Sequence, residues 1–85
     1  MSDQTCISNI PEEIWRAAIA ALKAGGWTAQ IGGGLDFSWA LLTRDGMRID
    51  MEYDIWCDGE MSFATADAPI IRSAVSSDVF ALLEI

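Results

Sequence analysis

The sequence predicts a single α+β domain in which an N-terminal helix packs on a four-stranded antiparallel β-meander, followed by a short C-terminal helix. Three observations predict this fold: apolar residues at helical spacing early in the chain, alternating spacing after residue 27, and three turn signals that contain glycine. The 85 residues suffice for one hydrophobic core and leave no room for a second. Residues 1–85 are therefore expected to form one domain.

The first predicted element is a helix of about fifteen residues with one apolar face. That face consists of Ile14, Trp15, Ala18, Ile19 and Leu22. Asn9 and Glu12 have the spacing of a capping box, which predicts that Asn9 caps the helix. The pair Gly25-Gly26 predicts its end.

Three turn signals divide residues 27–65 into four short strands. They are Gly32-Gly33-Gly34, Arg44-Asp45-Gly46 and Cys57-Asp58-Gly59. An Asp-Gly pair often forms a two-residue loop, but here that register would set apolar residues of the second strand beside acids of the third. A three-residue loop at each signal separates them, so we expect Leu41 opposite Ile49 and Tyr53 opposite Phe63.

In this register one face of the sheet is apolar, and the helix is available to cover it. The predicted core residues of the sheet are Trp27, Ala29, Ile31, Leu35, Phe37, Trp39, Leu41, Ile49, Met51, Tyr53, Ile55, Met61 and Phe63. For residues 67–75 the pattern leaves helix, strand and loop open. Ser77 has the position of an N-cap for a terminal helix. Its inward residues would be Val79, Leu82 and Leu83.

The opposite face of the predicted sheet carries an acidic line on the third strand. Alternate residues of a strand lie about 6.8 Å apart, so three carboxylates form a line roughly 14 Å long. Asp36 falls directly opposite Asp54, and a like-charge pair at such a position costs stability. Trp56 adds a large aromatic beside Glu60. We expect a partner-binding surface made of Asp36, Asp50, Glu52, Asp54, Trp56 and Glu60.

The charge of the chain restricts its partners. Thirteen acidic residues against five basic ones give a net charge of −8, which repels nucleic acid and anionic membranes and favours basic proteins. A line of carboxylates can contact the arginines and lysines that normally hold a nucleic-acid backbone. The alternative is an ordinary solvated sheet face whose charges keep the protein soluble.

Catalytic and metal-binding groups are not evident. The sequence has no histidine, and no lysine or histidine lies near Cys57 to lower its pKa. Carboxylates in line on a strand diverge from any common point, which argues against a calcium site at Asp50, Glu52 and Asp54. We therefore expect neither enzymatic activity nor a metal or cofactor.

The two cysteines and the N-terminus indicate a cellular location. Cys6 and Cys57 form neither a C-x-x-C pair nor a dense framework, so we expect free thiols in a reducing compartment. The N-terminus lacks the basic and apolar regions of a signal peptide, and no apolar run has the length of a membrane span. These observations predict a cytoplasmic protein that does not bind membranes.

The small size, the strong negative charge and the lack of catalytic groups resemble phage anti-CRISPR and other anti-defence proteins, although no motif supports membership of a family. The resemblance implies a non-enzymatic inhibitor that docks its acidic face on a basic, nucleic-acid-binding surface of a partner protein. One alternative is an immunity protein that neutralises a toxic nuclease. Another is a structural module that forms a homodimer through an edge strand, either residues 27–31 or residues 61–65.

Overall fold

The computed structural model describes residues 3–34 and 36–75 of the chain. In chain order its elements are β1 (Gln4–Ile10), α1 (Glu12–Ala24), β2 (Thr28–Gly33), β3 (Phe37–Arg44), β4 (Met47–Asp54), β5 (Asp58–Ala64), a 3-10 turn (Thr65–Asp67) and α2 (Ala68–Ala74). The strands form one antiparallel sheet in the order β1-β5-β4-β3-β2. The α+β class is confirmed. The sheet, however, has five strands rather than the four predicted, and helix α1 lies between β1 and β2.

The unpredicted strand is β1, which pairs with β5 along the edge of the sheet. Its register shifts between Ile7 and Ile10, where Asn9 has a φ of 59° in the left-handed region. Asparagine tolerates this conformation well, so Asn9 shapes an irregular strand end instead of capping the helix. The helix begins at Glu12 after Pro11, without a side-chain cap. The predicted capping box is therefore wrong.

Helix α1 covers one face of the sheet, called the inner face below. Its buried residues are those predicted: Trp15, Ala18, Ile19 and Leu22, with Ile14 half-buried. Trp15 fits closely over Gly59, where an added Cβ would lie 2.5 Å from the indole Cδ1. The indole Nε1 also donates to the carbonyl of Glu60 at 3.3 Å. The helix is thus fixed on β5 by packing and by a hydrogen bond.

The inner face of the sheet forms the rest of the core. Its buried sheet residues are Ile7, Ala40, Leu42, Ile49, Met51, Met61 and Phe63. Trp27, which precedes β2, is buried beside them, while Ala29 and Tyr53 are half-buried. On β3 the core therefore takes Ala40 and Leu42 rather than the bulkier residues that were predicted there.

The register between β3 and β4 explains this difference. Arg44 pairs with Met47, so the loop has two residues, and Asp45 and Gly46 both have positive φ values of 50° and 83°. This is a type I′ turn, whose twist matches that of the flanking strands. The prediction of a three-residue loop is wrong at this hairpin, and Leu41 faces Asp50 instead of Ile49.

The other two hairpins also differ from prediction. Residues 55–57 form a three-residue loop between β4 and β5, and Ile49 rather than Tyr53 faces Phe63. The observed register differs from the predicted one by an even number of residues, so the side chains of both strands remain on their predicted faces. Between β2 and β3, Ile31 faces Ala40. Its predicted neighbour Leu35 lies outside the described residues.

The region beyond β5 is helical as far as residue 74. Ile71 and Val75 are buried in the core, so α2 extends the layer formed by α1. The predicted terminal helix after Ser77, with Val79, Leu82 and Leu83, lies outside the described residues. No helix in the described part of the chain combines the length and apolar character needed to cross a membrane.

Candidate protein-binding face

The face of the sheet opposite α1, called the outer face below, brings an apolar strand and an acidic strand together. Side chains alternate between faces along each strand, so the two-residue turn places both sets on this side. The outer-face residues are Phe37, Trp39 and Leu41 on β3, Arg48, Asp50, Glu52 and Asp54 on β4, and Glu60 and Ser62 on β5. The predicted face of the β4 acids is confirmed. The core assignment of Phe37, Trp39 and Leu41 is wrong.

The apolar half of the outer face is partly exposed and well supported. Phe37 and Trp39 are each 40% exposed, while Leu41 is half-buried. The indole of Trp39 lies against Gly32 on β2, where a Cβ would come within 2.6 Å of the ring. An aromatic ring that covers a glycine of an edge strand stabilises the strand pair. Trp39 is therefore held in a fixed position with one side accessible.

The acids of β4 have different surroundings. Arg48 binds Asp50 through Nη2 at 3.0 Å and Nε at 3.2 Å, which compensates that carboxylate. Asp54 Oδ1 accepts a 2.7 Å hydrogen bond from the amide of Trp56 and so shapes the following turn. Glu52 lies between them.

Glu52 and Glu60 form a like-charge pair at the centre of the outer face. They lie directly opposite each other on β4 and β5, and both are exposed. In the described ranges neither carboxylate forms an ion pair or a hydrogen bond. Directly opposed like charges on neighbouring strands destabilise a sheet. Asp54 and Asp58 face each other in the same way, so the two strands carry two opposed acidic pairs without a cation between them among the described residues.

Asp36 and Trp56 lie at the end of the face near the β4–β5 loop. Asp36 occupies the bend before β3, and its carbonyl accepts a 3.3 Å hydrogen bond from the amide of Ile55. Its predicted position opposite Asp54 is wrong because Phe37 occupies that place. Trp56 is 81% exposed in the loop.

Two shallow hollows open on either side of the glutamate pair. One, of about 200 Å³, is lined by Phe37, Glu52, Asp54, Cys57, Asp58 and Glu60. The other, of about 170 Å³, is lined by Cys6, Asp50, Glu52, Glu60 and Ser62. Carboxylates at such positions can accept charge-assisted hydrogen bonds from a guanidinium or ammonium group.

Within residues 3–34 and 36–75, no three histidine, cysteine, aspartate or glutamate side chains are arranged to hold a metal ion. Cys6 and Cys57 are free and exposed. The described groups on and beside the face include carboxylates, aromatic rings, the guanidinium of Arg48 and two thiols.

Comparison of the chain with protein-family models, with curated proteins and with solved structures gave no match. The assignment of a function therefore depends on the geometry of the molecule.

Sequence reasoning missed the aromatic half of this face. The signal that could have revealed it is the pair Asp45-Gly46, which has a strong preference for a two-residue type I′ turn. The alternative of keeping apolar and acidic residues on opposite faces favours a three-residue loop. The structure places them side by side.

Proposed function

We propose that the chain is a non-enzymatic binding protein, an inhibitor that docks its outer face on a basic, nucleic-acid-binding surface of a partner protein. The observation that carries the proposal is the pairing of Phe37 and Trp39 with Asp54 and Glu52 across β3 and β4. A face with exposed aromatic rings beside unpaired carboxylates has both components of a protein interface, apolar anchors and charge complementarity.

The charge component rests on Glu52 and Glu60. Their mutual repulsion lowers the stability of the free protein, and basic groups of a partner would relieve it on binding. Arginine suits this role because its planar group can bind two carboxylates at once. The two hollows beside the pair are open positions for such side chains.

The apolar component rests on Trp39, Phe37 and the exposed Trp56. Tryptophan is among the residues most often found at energetically dominant positions of interfaces. Trp39 is already fixed against Gly32, so binding costs little additional ordering of its side chain. Phe37 and Trp39 lie on the β3 side of the acidic pair and would exclude water on that side of it.

The partner class follows from the chemistry of the face. Surfaces that hold a nucleic-acid backbone present several arginines and lysines, and the acidic line can occupy them in place of phosphates. Guide-RNA effector complexes and toxic nucleases both have such surfaces. An anti-defence protein would bind the former, and an immunity protein would bind the latter.

The test replaces Glu52 and Glu60 by glutamine in one variant, E52Q/E60Q. This change removes the two charges of the Glu52–Glu60 pair and leaves Asp50 and Asp54 with their structural partners. The matched control is D3N/E13Q, which also removes two exposed charges without ion-pair partners among the described residues, but from the segment before β1 and from helix α1.

The assay measures displacement of a fluorescent DNA duplex from a panel of guide-RNA effector complexes and nucleases. Against a partner that the unmodified chain displaces, we expect E52Q/E60Q to need roughly tenfold or more higher concentration. The control should match the unmodified chain. If both variants lost displacement of the duplex equally, the effect would come from net charge alone. If E52Q/E60Q displaced the duplex as well as the unmodified chain does, docking through this face would be refuted.

A further inference from the structure

The two edges of the sheet differ in how they resist the addition of another strand. On β1 the pairing register is broken before Ile10, and Pro11 follows directly. Irregular pairing and proline are common devices that block edge-to-edge association. Strand β2 keeps a regular register over Thr28–Gly33, and residues 27–34 contain neither proline nor a charged residue. Among the described strands none pairs with its outer edge.

The backbone groups that β2 presents outward can be identified from its hydrogen bonds. The amide of Gly34 donates to the carbonyl of Phe37 at 2.8 Å, and these residues continue the β2–β3 register. In an antiparallel pair, bonded and non-bonded residues alternate along each strand. Gln30 therefore bonds to β3, whereas Ala29 and Ile31 direct their amides and carbonyls away from the sheet.

We propose that this edge pairs antiparallel with β2 of a second copy of the chain, which forms a two-fold symmetric dimer. A two-fold axis at Gln30 sets Ala29 of each copy opposite Ile31 of the other. Each of these two pairs can exchange two N–H···O bonds. The contact is self-complementary, as an isologous interface requires.

Charge at the edge favours a second copy arranged in this way. The strand itself is uncharged, so two chains of net charge −8 can approach there without opposed carboxylates. At the Gly26 end, Arg44 is paired with Asp45 at 3.5 Å, and Asp36 lies just beyond the Gly33 end. Antiparallel pairing brings Asp36 of each copy beside the Arg44–Asp45 pair of the other, whose two charges offset each other.

Apolar surface lies on both sides of the same edge. Ile31 is 56% exposed on the inner-face side, where Ala29 of the second copy would cover it. On the outer-face side, Trp39 lies across Gly32. Gly32 and Gly33 add no side chain that could obstruct a second strand.

The dimer would be a continuous ten-stranded sheet with both outer faces on one side. The two β4 strands would then be five strand spacings apart, about 24 Å. This inference does not depend on the proposed inhibitory function, because it concerns the β2 edge and not the acidic pair.

The test compares Ile31→Lys with Ile70→Lys. Both replace an exposed isoleucine by lysine, but Ile70 lies on α2 and is 47% exposed. Sedimentation of the unmodified chain over a series that reaches about 1 mM should show a mass that rises toward twice the 9.3 kDa of one chain. I70K should behave in the same way, and I31K should remain a monomer. A monomeric unmodified chain over the whole series would overturn the proposal.

Amide hydrogen exchange on the unmodified chain gives a second readout that needs no variant. The amides of Ala29 and Ile31 should become protected as concentration rises, whereas that of Gln30 should be protected throughout. A dimer in which Ala29 and Ile31 remain unprotected would use another surface and would also overturn the proposal. E52Q/E60Q should dimerise like the unmodified chain, so the two proposals can fail separately.

Discussion

Two tryptophans on opposite sides of the sheet are used differently. Against the inner face, Trp15 of α1 is fully buried and donates a hydrogen bond to the β5 backbone. On the outer face, Trp39 packs against Gly32 and leaves one side exposed. The first arrangement stabilises the fold, and the second supports the fold while presenting a surface. Strand β3 contributes side chains to both the core and the outer face.

The largest expected effect concerns the inner tryptophan. Trp15→Ala should lower the free energy of unfolding by about 3–5 kcal/mol, because it leaves a cavity under α1 and removes the bond to Glu60. Urea denaturation followed by circular dichroism measures this change. If Trp15→Ala lowered the free energy of unfolding no more than Trp39→Ala does, the distinction between the two faces would be wrong.

A smaller effect on stability is expected for the outer tryptophan. Trp39→Ala should lower the free energy of unfolding by about 1–2 kcal/mol, since its ring is only partly buried and covers an edge glycine. The same denaturation experiment applies. The variant should also lose DNA displacement in the assay described for Glu52 and Glu60, and full displacement by a folded Trp39→Ala would limit the contact to the acidic half.

The smallest effect concerns the pH dependence of the inner face. Burial, and next the carboxylates of Glu12 and Asp58, raise the pKa of Tyr53 above its ordinary value of 10.0. The folded chain then holds the phenol proton more tightly than the unfolded chain does. The contribution of Tyr53 to the free energy of unfolding is therefore fully present below pH 10.0, and it is lost as the pH rises through the pKa of the folded state.

Tyr53→Phe should remove this part of the alkaline loss of stability. Denaturation of both proteins from about pH 9 to about pH 12, with phenolate absorbance followed in parallel, measures the difference. Parallel pH profiles would mean that Tyr53 titrates alike in the folded and unfolded chains.

Much of the fold could be predicted from local patterns. The apolar face of α1, its end at Gly25 and the acidic face of β4 depend on spacing within one element, and all three are confirmed. Strand β1 was missed because it buries few of its side chains, with Ile7 and Ile10 inward. An alternating pattern this sparse gives little periodic signal.

The position of Phe37, Trp39 and Leu41 could not be derived from hydrophobicity alone. A register error of one residue transfers a whole strand to the other face, and apolar patterning favoured the wrong choice. The preference of the pair Asp45-Gly46 for a two-residue turn indicates the register that the structure has. In the structure, apolar residues of β3 and charged residues of β4 share the outer face instead of lying on opposite sides of the sheet.

Glu60 serves the two faces through different atoms. Its backbone carbonyl accepts the bond from Trp15, while its side chain lies on the outer face opposite Glu52. Any amino acid other than proline supplies the same backbone, so the anchoring of the helix does not constrain which side chain stands at position 60. A substitution of the Glu60 side chain is therefore expected to change the charge of the outer face without disturbing the hydrogen bond that anchors α1.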